Sequence, residues 1–121
     1  MQILLLEDDV MIAEIMEIAI RAARRDVELE HFISSSKAHN YVFPESDGPQ
    51  IDLYILDIRV PGAYTGFELG KIIREKQPEA NIVLTSAYQR PATKDEMKAL
   101  DFEWHPKPWH VFDIQKRVAS H

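Results

Sequence analysis

Short apolar runs and helix-spaced segments alternate strictly along this chain, strand then helix, five times over. The first run, residues 2–6, stops abruptly at Glu7-Asp8-Asp9. Residues 10–24 then place Ile12, Ile15, Ala19 and Ala22 with Ala23 at helical spacing, with Asp8 or Asp9 as N-cap and Arg21, Arg24 and Arg25 at the C-terminal end. Residues 27–32 alternate like a half-exposed edge strand, 34–43 read as a helix stopped by Pro44, and 45–50 are a loop. Residues 51–56 are nearly all apolar, as in a strand covered on both faces, and end on Asp57. A loop holding Pro61, Gly62 and Gly66 leads to a helix over 67–77 with Leu69, Ile72 and Ile73 as its apolar stripe. A buried strand follows over 81–86, then a helix over 91–100 opened by the capping box Thr93-x-x-Glu96. A short strand over 102–105 is broken by Pro106-Lys107-Pro108, and an amphipathic helix over 109–119 carries Val111, Phe112, Ile114 and Val118. Strict alternation with short connections specifies a parallel sheet with helices on both faces, a doubly wound α/β sandwich. At 121 residues the chain holds one such domain.

Several function classes fall away on composition. The absence of cysteine excludes a disulfide scaffold, an iron–sulfur or thiolate zinc site and a cysteine nucleophile. A formal charge of −6 is poorly suited to wrapping nucleic acid. No apolar stretch is long enough to span a membrane, and the start lacks the pattern of a secretory signal. The expectation is a cytoplasmic domain with no nucleic-acid and no membrane partner.

In open α/β sheets, function gathers at the carboxyl ends of the strands. Those ends supply Glu7-Asp8-Asp9, Asp57, Thr85-Ser86 and the neighbourhood of Lys107. Clustered acids repel one another, and a bound cation relieves the repulsion. A few hard oxygen ligands suit Mg²⁺ better than a calcium cage. Acids at such ends can also be plain helix caps, and Asp9 fits that role. Asp57 is different, because it follows the apolar run Leu53-Tyr54-Ile55-Leu56 and so sits at the rim of the core, where an ionised carboxylate needs compensation. A carboxylate can attack phosphorus to give an acyl phosphate. Lys107 would neutralise charge on that group and a strand-end hydroxyl would donate to it. Each residue alone has a bland explanation; four strand ends supplying complementary groups do not.

Over its whole length the chain resembles a response-regulator receiver domain of two-component signalling, of the single-domain chemotaxis-regulator type. The matching pieces are Ile3-Leu4-Leu5-Leu6-Glu7-Asp8-Asp9, the run from Asp52 through Leu56-Asp57-Ile58-Arg59-Val60-Pro61-Gly62, Gly66-Phe67-Glu68-Leu69, Leu84-Thr85-Ser86-Ala87, and Lys107-Pro108-Trp109. The intervals Asp8 to Asp57, Asp57 to Ser86 and Ser86 to Lys107 are 49, 29 and 21 residues. The resemblance implies a flavodoxin-like (βα)5 fold with strand order 2-1-3-4-5, over residues 1–121 with no output domain. It implies a phosphorylation-activated switch rather than an enzyme, although one that promotes its own phosphorylation and dephosphorylation. Asp57 would accept phosphoryl from a histidine kinase or histidine phosphotransfer protein. Asp8, Asp57 and the backbone carbonyl of Arg59 would bind Mg²⁺, with Glu7 acting through water. Ser86, chosen over Thr85 because Ala87 follows it, would hold the phosphoryl group with Lys107. Trp104 would rotate as Ser86 moves, altering a downstream protein's contact with the face made by the fourth helix, fifth strand and fifth helix. A plain core tryptophan is the competing reading of Trp104.

Some positions depart from the family pattern. Arg59 and Tyr88 stand two residues beyond Asp57 and Ser86, where the family tunes phosphoryl lifetime; this bulky pair implies slow autodephosphorylation, against which a half-life of seconds would count. The turn Gly62-Ala63-Tyr64-Thr65-Gly66 is about one residue longer than usual, and Leu100-Asp101-Phe102-Glu103-Trp104 is short and lacks a glycine. The five histidines show no ligand spacing on one helix face and read as scattered surface residues. Two alternatives stand beside the switch. One is a phosphorylation-independent pseudo-receiver, which a lost acid or lysine would mark. The other is an aspartate-nucleophile phosphohydrolase, which needs a second acid where Arg59 stands.

Overall fold

The computed structural model describes residues 1–87 and 90–121. Five strands, β1 (Gln2–Leu6), β2 (Glu28–Phe32), β3 (Leu53–Asp57), β4 (Ile82–Ser86) and β5 (Phe102–Pro106), alternate with five helices, α1 (Val10–Ala23), α2 (Ser35–Val42), α3 (Gly66–Lys76), α4 (Lys94–Ala99) and α5 (Val111–Ala119). All neighbouring strands pair in parallel, in the order β2-β1-β3-β4-β5. Strand alternation divides the core in two. Ile3, Leu5, Leu53, Ile55 and Val83 pack under α1 and α5, while Leu4, Leu6, Tyr54, Leu56 and Leu84 pack under α2, α3 and α4. By the same parity Thr85 follows Val83 toward the first layer and Ser86 follows Leu84 toward the second.

The helices begin where capping chemistry allows. Asp9 caps α1, accepting from the amides of Met11 and Ile12. Thr65 and Glu68 form a reciprocal capping box at α3, which sequence inspection had not marked; Thr93 caps α4 by accepting from Glu96. Two amphipathic faces differ from expectation. On α1 the buried side is Ala13, Met16, Ala19 and Ile20, leaving Ile15 55% and Ile18 70% exposed. On α5, Ile114 and Val118 are buried but Phe112 is 73% exposed. Spacing finds an apolar stripe, yet α1 carries apolar residues on more than one face and packing selects among them.

Both irregular segments have physical solutions. Gly62 takes φ +117 beside the N-terminus of α2, where the amides of Tyr64 and Ala63 donate to Ser35 Oγ (3.0 Å) and Ser36 Oγ (2.8 Å), so the long turn is fastened to α2. The helix before β5 is only six residues long, and Asp101 supplies the positive φ (54) that a glycine would otherwise provide. Arg74 secures that corner by donating to the carbonyls of Leu100 and Asp101. The cis peptide of this region is Lys107–Pro108. At the opposite end of the sheet the Met1 ammonium meets Asp26, and Arg24 donates to the carbonyl of His121.

Candidate functional site

The carboxyl ends of β1, β3 and β5 converge on one ammonium. Lys107 Nζ lies 2.5 Å from Glu7 Oε1 and 2.8 Å from Asp57 Oδ2. Glu7 is 1% exposed and Asp57 4%, the latter because β3 runs one residue further than its apolar pattern and takes Asp57 into the strand. The other Asp57 oxygen accepts the amide of Arg59 at 3.3 Å, and Glu7 Oε2 accepts that of Asp9 at 3.1 Å. Asp8, between two anchored neighbours, is exposed. Gly66 leaves no space for a side chain, since a Cβ there would collide with the carbonyl of Asp57. Its own amide donates to Ile58 O at 3.0 Å, which holds the loop against the strand end.

Burial drives the electrostatics. It pushes the Glu7 carboxyl up to about 7; Lys107 pulls the other way, and Asp57 adds to the rise. For Lys107, burial favours the neutral amine, but hydrogen bonds and charge from Asp57 and Glu7 outweigh it and hold the group above the usual lysine value. The pH consequence has a definite sign. A carboxyl whose folded value is raised stabilises the fold below its unfolded value, and that contribution is lost as pH rises through the folded value. The metal-free protein should therefore lose about 1–3 kcal/mol between pH 5 and pH 8 in urea denaturation, and Glu7→Gln should remove the decline. Asp26, Glu68 and Glu103, whose values are lowered by their partners, act in the opposite sense and only at more acid pH.

One oxygen from each of Glu7, Asp8 and Asp57 can be taken so that all three lie within 4.8 Å of one another. Three ionised carboxylates facing one ammonium leave two negative charges, the complement of a divalent cation. All three donors are hard oxygens, and the exposure of Asp8 leaves that flank open to water. The residues present therefore fit Mg²⁺.

The remaining predicted residues group around this cluster in different ways. Ser86 is buried at the end of β4, and its Oγ accepts the indole N–H of Trp104 at 3.0 Å, so the end of β4 is linked to the middle of β5. Thr85 faces the other layer and lines an apolar cavity of about 370 Å³ with Ile15, Met16, Pro108, Trp109 and the stem of Lys107. Arg59 brings its amide to Asp57; Tyr88 lies outside the described residues. Three of the five histidines also take structural parts: His31 Nε2 donates to the carbonyl of Glu7 at 2.7 Å, His105 stacks on Trp109 at 4.4 Å, and the exposed His110 caps α5. His31 thus fixes the backbone that carries the buried acid. Its place in the alternating edge strand was the available clue, but no motif marks it.

The model of the family described as response regulator receiver domain matches residues 3–119. The fold is similar to that of the receiver domain of the Francisella response regulator 1452, at 19% identity and TM-score 0.79, covering 97% of this chain and 92% of that one. It is likewise similar to response regulator TrrA from Thermotoga maritima, solved with Mg²⁺ and BeF, at 24% identity and TM-score 0.79, with 98% and 96% covered. Vibrio cholerae chemotaxis protein CheY4 matches at 22% identity and TM-score 0.78, again covering 98% and 96%. No curated protein matches the sequence.

Proposed function

The chain belongs to the response regulator receiver domain family, and from that premise we propose that Asp57 is the phosphoacceptor of a Mg²⁺-dependent switch charged by a histidine kinase or a histidine phosphotransfer protein. Receiver domains are phosphorylatable signalling switches and not classical enzymes; the assignment of residues to that task is what the site's geometry supports. The observation that carries it is the Lys107 ammonium held 2.8 Å from a strand-end carboxylate that is itself almost wholly buried.

In the transfer, a carboxylate oxygen of Asp57 forms the new O–P bond as the N–P bond of the phosphoimidazole breaks, and the departing imidazole takes up a proton. Glu7, Asp8, Asp57 and the carbonyl of Arg59 would hold the metal ion, which when bound supplies positive charge to the phosphoryl oxygens. Lys107 adds a second positive group without moving far, since its present partners already place it at the reacting carboxylate. Ser86 donates to a phosphoryl oxygen; as its Oγ accepts from Trp104, any movement of Ser86 is felt on β5. The output is a change at the α4-β5-α5 face that a downstream protein reads. Exposed apolar side chains on α1 and α5, Met11 (74% exposed), Ile15 and Phe112, would offer the phosphodonor protein a surface to dock on.

Incubation with Mg²⁺ and acetyl phosphate, followed by intact mass and tryptophan emission, tests this reading. The expected result is one added phosphoryl group, dependent on Mg²⁺, with an emission change from Trp104. A folded protein that neither gains mass nor binds beryllofluoride with Mg²⁺ would instead be a phosphorylation-independent interaction module.

A further inference from the structure

A second feature lies behind Lys107, in the layer that Thr85 faces. The apolar cavity of about 370 Å³ there is walled by Ile15, Met16, Thr85, Trp109 and Ile114 with the stem of Lys107, so it runs between α1, the end of β4 and the approach to α5. Its volume falls within the range of sites that take small molecules. Met16 and Ile114 are buried while Ile15 is 55% exposed, so the apolar lining continues from the core to the surface. The cation cluster does not use this space, since none of Glu7, Asp8 and Asp57 is among its walls.

One wall carries a donor with no partner. Trp109 is 9% exposed, yet its indole N–H has no acceptor among the described residues. A buried indole N–H is ordinarily hydrogen-bonded, and one left unpaired keeps its full desolvation cost. His105 stacks on the ring at 4.4 Å, so the indole is a fixed wall rather than a loose one. Charge then selects among ligands. Among the described residues no acid lines the cavity, so a cation finds no counterion there. An anion meets only Lys107, whose ammonium is already shared by the buried carboxylates of Glu7 and Asp57, and it adds to their negative field. A neutral molecule escapes both penalties.

We propose that this cavity binds a neutral, mostly apolar small molecule bearing one carbonyl-type acceptor, its body against Ile15, Met16 and Ile114 and its oxygen taking the indole N–H of Trp109. Apolar burial supplies most of the affinity and the single hydrogen bond fixes the orientation. Water competes poorly, because a lining this apolar offers few of the two to four polar partners that a buried water needs. The occupied site gives the domain a chemical input separate from phosphorylation, and binding there does not rest on the reading of Asp57 as phosphoacceptor.

Titration of the ¹⁵N-labelled whole protein with 1-indanone tests the proposal. Two probes run beside it: indane, which has the same rings and no acceptor, and indane-1-carboxylate, which is anionic. The two tryptophans give two indole N–H resonances, and Trp109→Phe identifies which is which. 1-Indanone should shift the Trp109 resonance saturably, leave that of Trp104 in place, and show Overhauser contacts to Ile15 and Met16. Its affinity should exceed that of either other probe at least fivefold. Trp109→Phe removes the donor, and Ile12→Phe adds bulk at a half-buried lining position. Each should weaken binding at least fivefold, read on the Met16 methyl, with circular dichroism confirming that both variants fold. The absence of a saturable Trp109 shift in the native protein overturns the proposal, whatever the variants do. So does equal or tighter binding of indane or of the carboxylate, undiminished binding by both variants, or contacts confined to Trp104 or Phe112. Beryllofluoride with Mg²⁺ keeps the two readings apart. A protein that binds 1-indanone but no beryllofluoride upholds the cavity while removing the receiver chemistry, and the converse overturns the cavity alone.

Discussion

Asp57→Asn should reduce phosphoryl incorporation from acetyl phosphate to background while leaving the fold intact. The amide keeps the shape of the carboxylate and can still accept the Arg59 amide, but it is not a nucleophile toward phosphorus at neutral pH. The substitution also removes one of the charges that raise Glu7, so Glu7 should ionise at lower pH and pair with Lys107 alone. The neutral-pH loss of stability expected of the native protein should shrink with it. Intact mass gives the first result and urea denaturation at pH 5 and pH 8 the second. Retained phosphoryl uptake would move the acceptor away from Asp57 and remove the central assignment.

Lys107→Met should have the largest effect on stability of any change at the site. Methionine replaces most of the stem, so the loss is one of charge. Glu7 and Asp57, both nearly inaccessible, would face each other without their shared cation. Removing one partner of a buried ionic cluster costs roughly 3 kcal/mol, because the group left behind keeps its desolvation cost. That cost should be evident at pH 8 with chelator present and should diminish at pH 5, where Glu7 takes up a proton. Millimolar Mg²⁺ should also restore much of it, if the acids bind the ion as proposed. A Lys107→Met protein as stable as the native one at pH 8 without metal would mean that the two acids are not ionised together, and the electrostatic reading would have to be revised.

The architecture could be read from sequence because parallel strands buried on both faces leave unmistakable apolar runs, such as Leu53-Tyr54-Ile55-Leu56, separated by helix-spaced segments. The strand ends could be read for the same reason: a carboxylate directly after such a run has nowhere to go but the sheet's edge. Helix facing was harder. Ile15 and Ile18 satisfy helical spacing as well as Met16 does, and only the packing of α1 on α5 shows which side is buried. Residues that act through the backbone left no pattern at all. His31 supports Glu7 by its carbonyl, and Ser35 and Ser36 hold the turn over residues 62–66 from a helix 27 residues or more away. The cavity beside Trp109 was hidden for a related reason: its walls come from α1, the end of β4 and the approach to α5.

One detail of the fold bears on how this unit can be joined to others. Met1 and His121 are tethered to the same corner through Asp26 and Arg24, at the end of the sheet away from Glu7, Asp57 and Lys107. Residues 1 and 121 therefore lie close together, away from the edge that carries Glu7, Asp57 and Lys107. A fluorescent protein, an immobilising tag or a second domain attached at either end hangs from the base of the sheet like a cartridge from its handle. A short rigid attachment at residue 1 or 121 would leave from the face opposite Asp57 and Lys107.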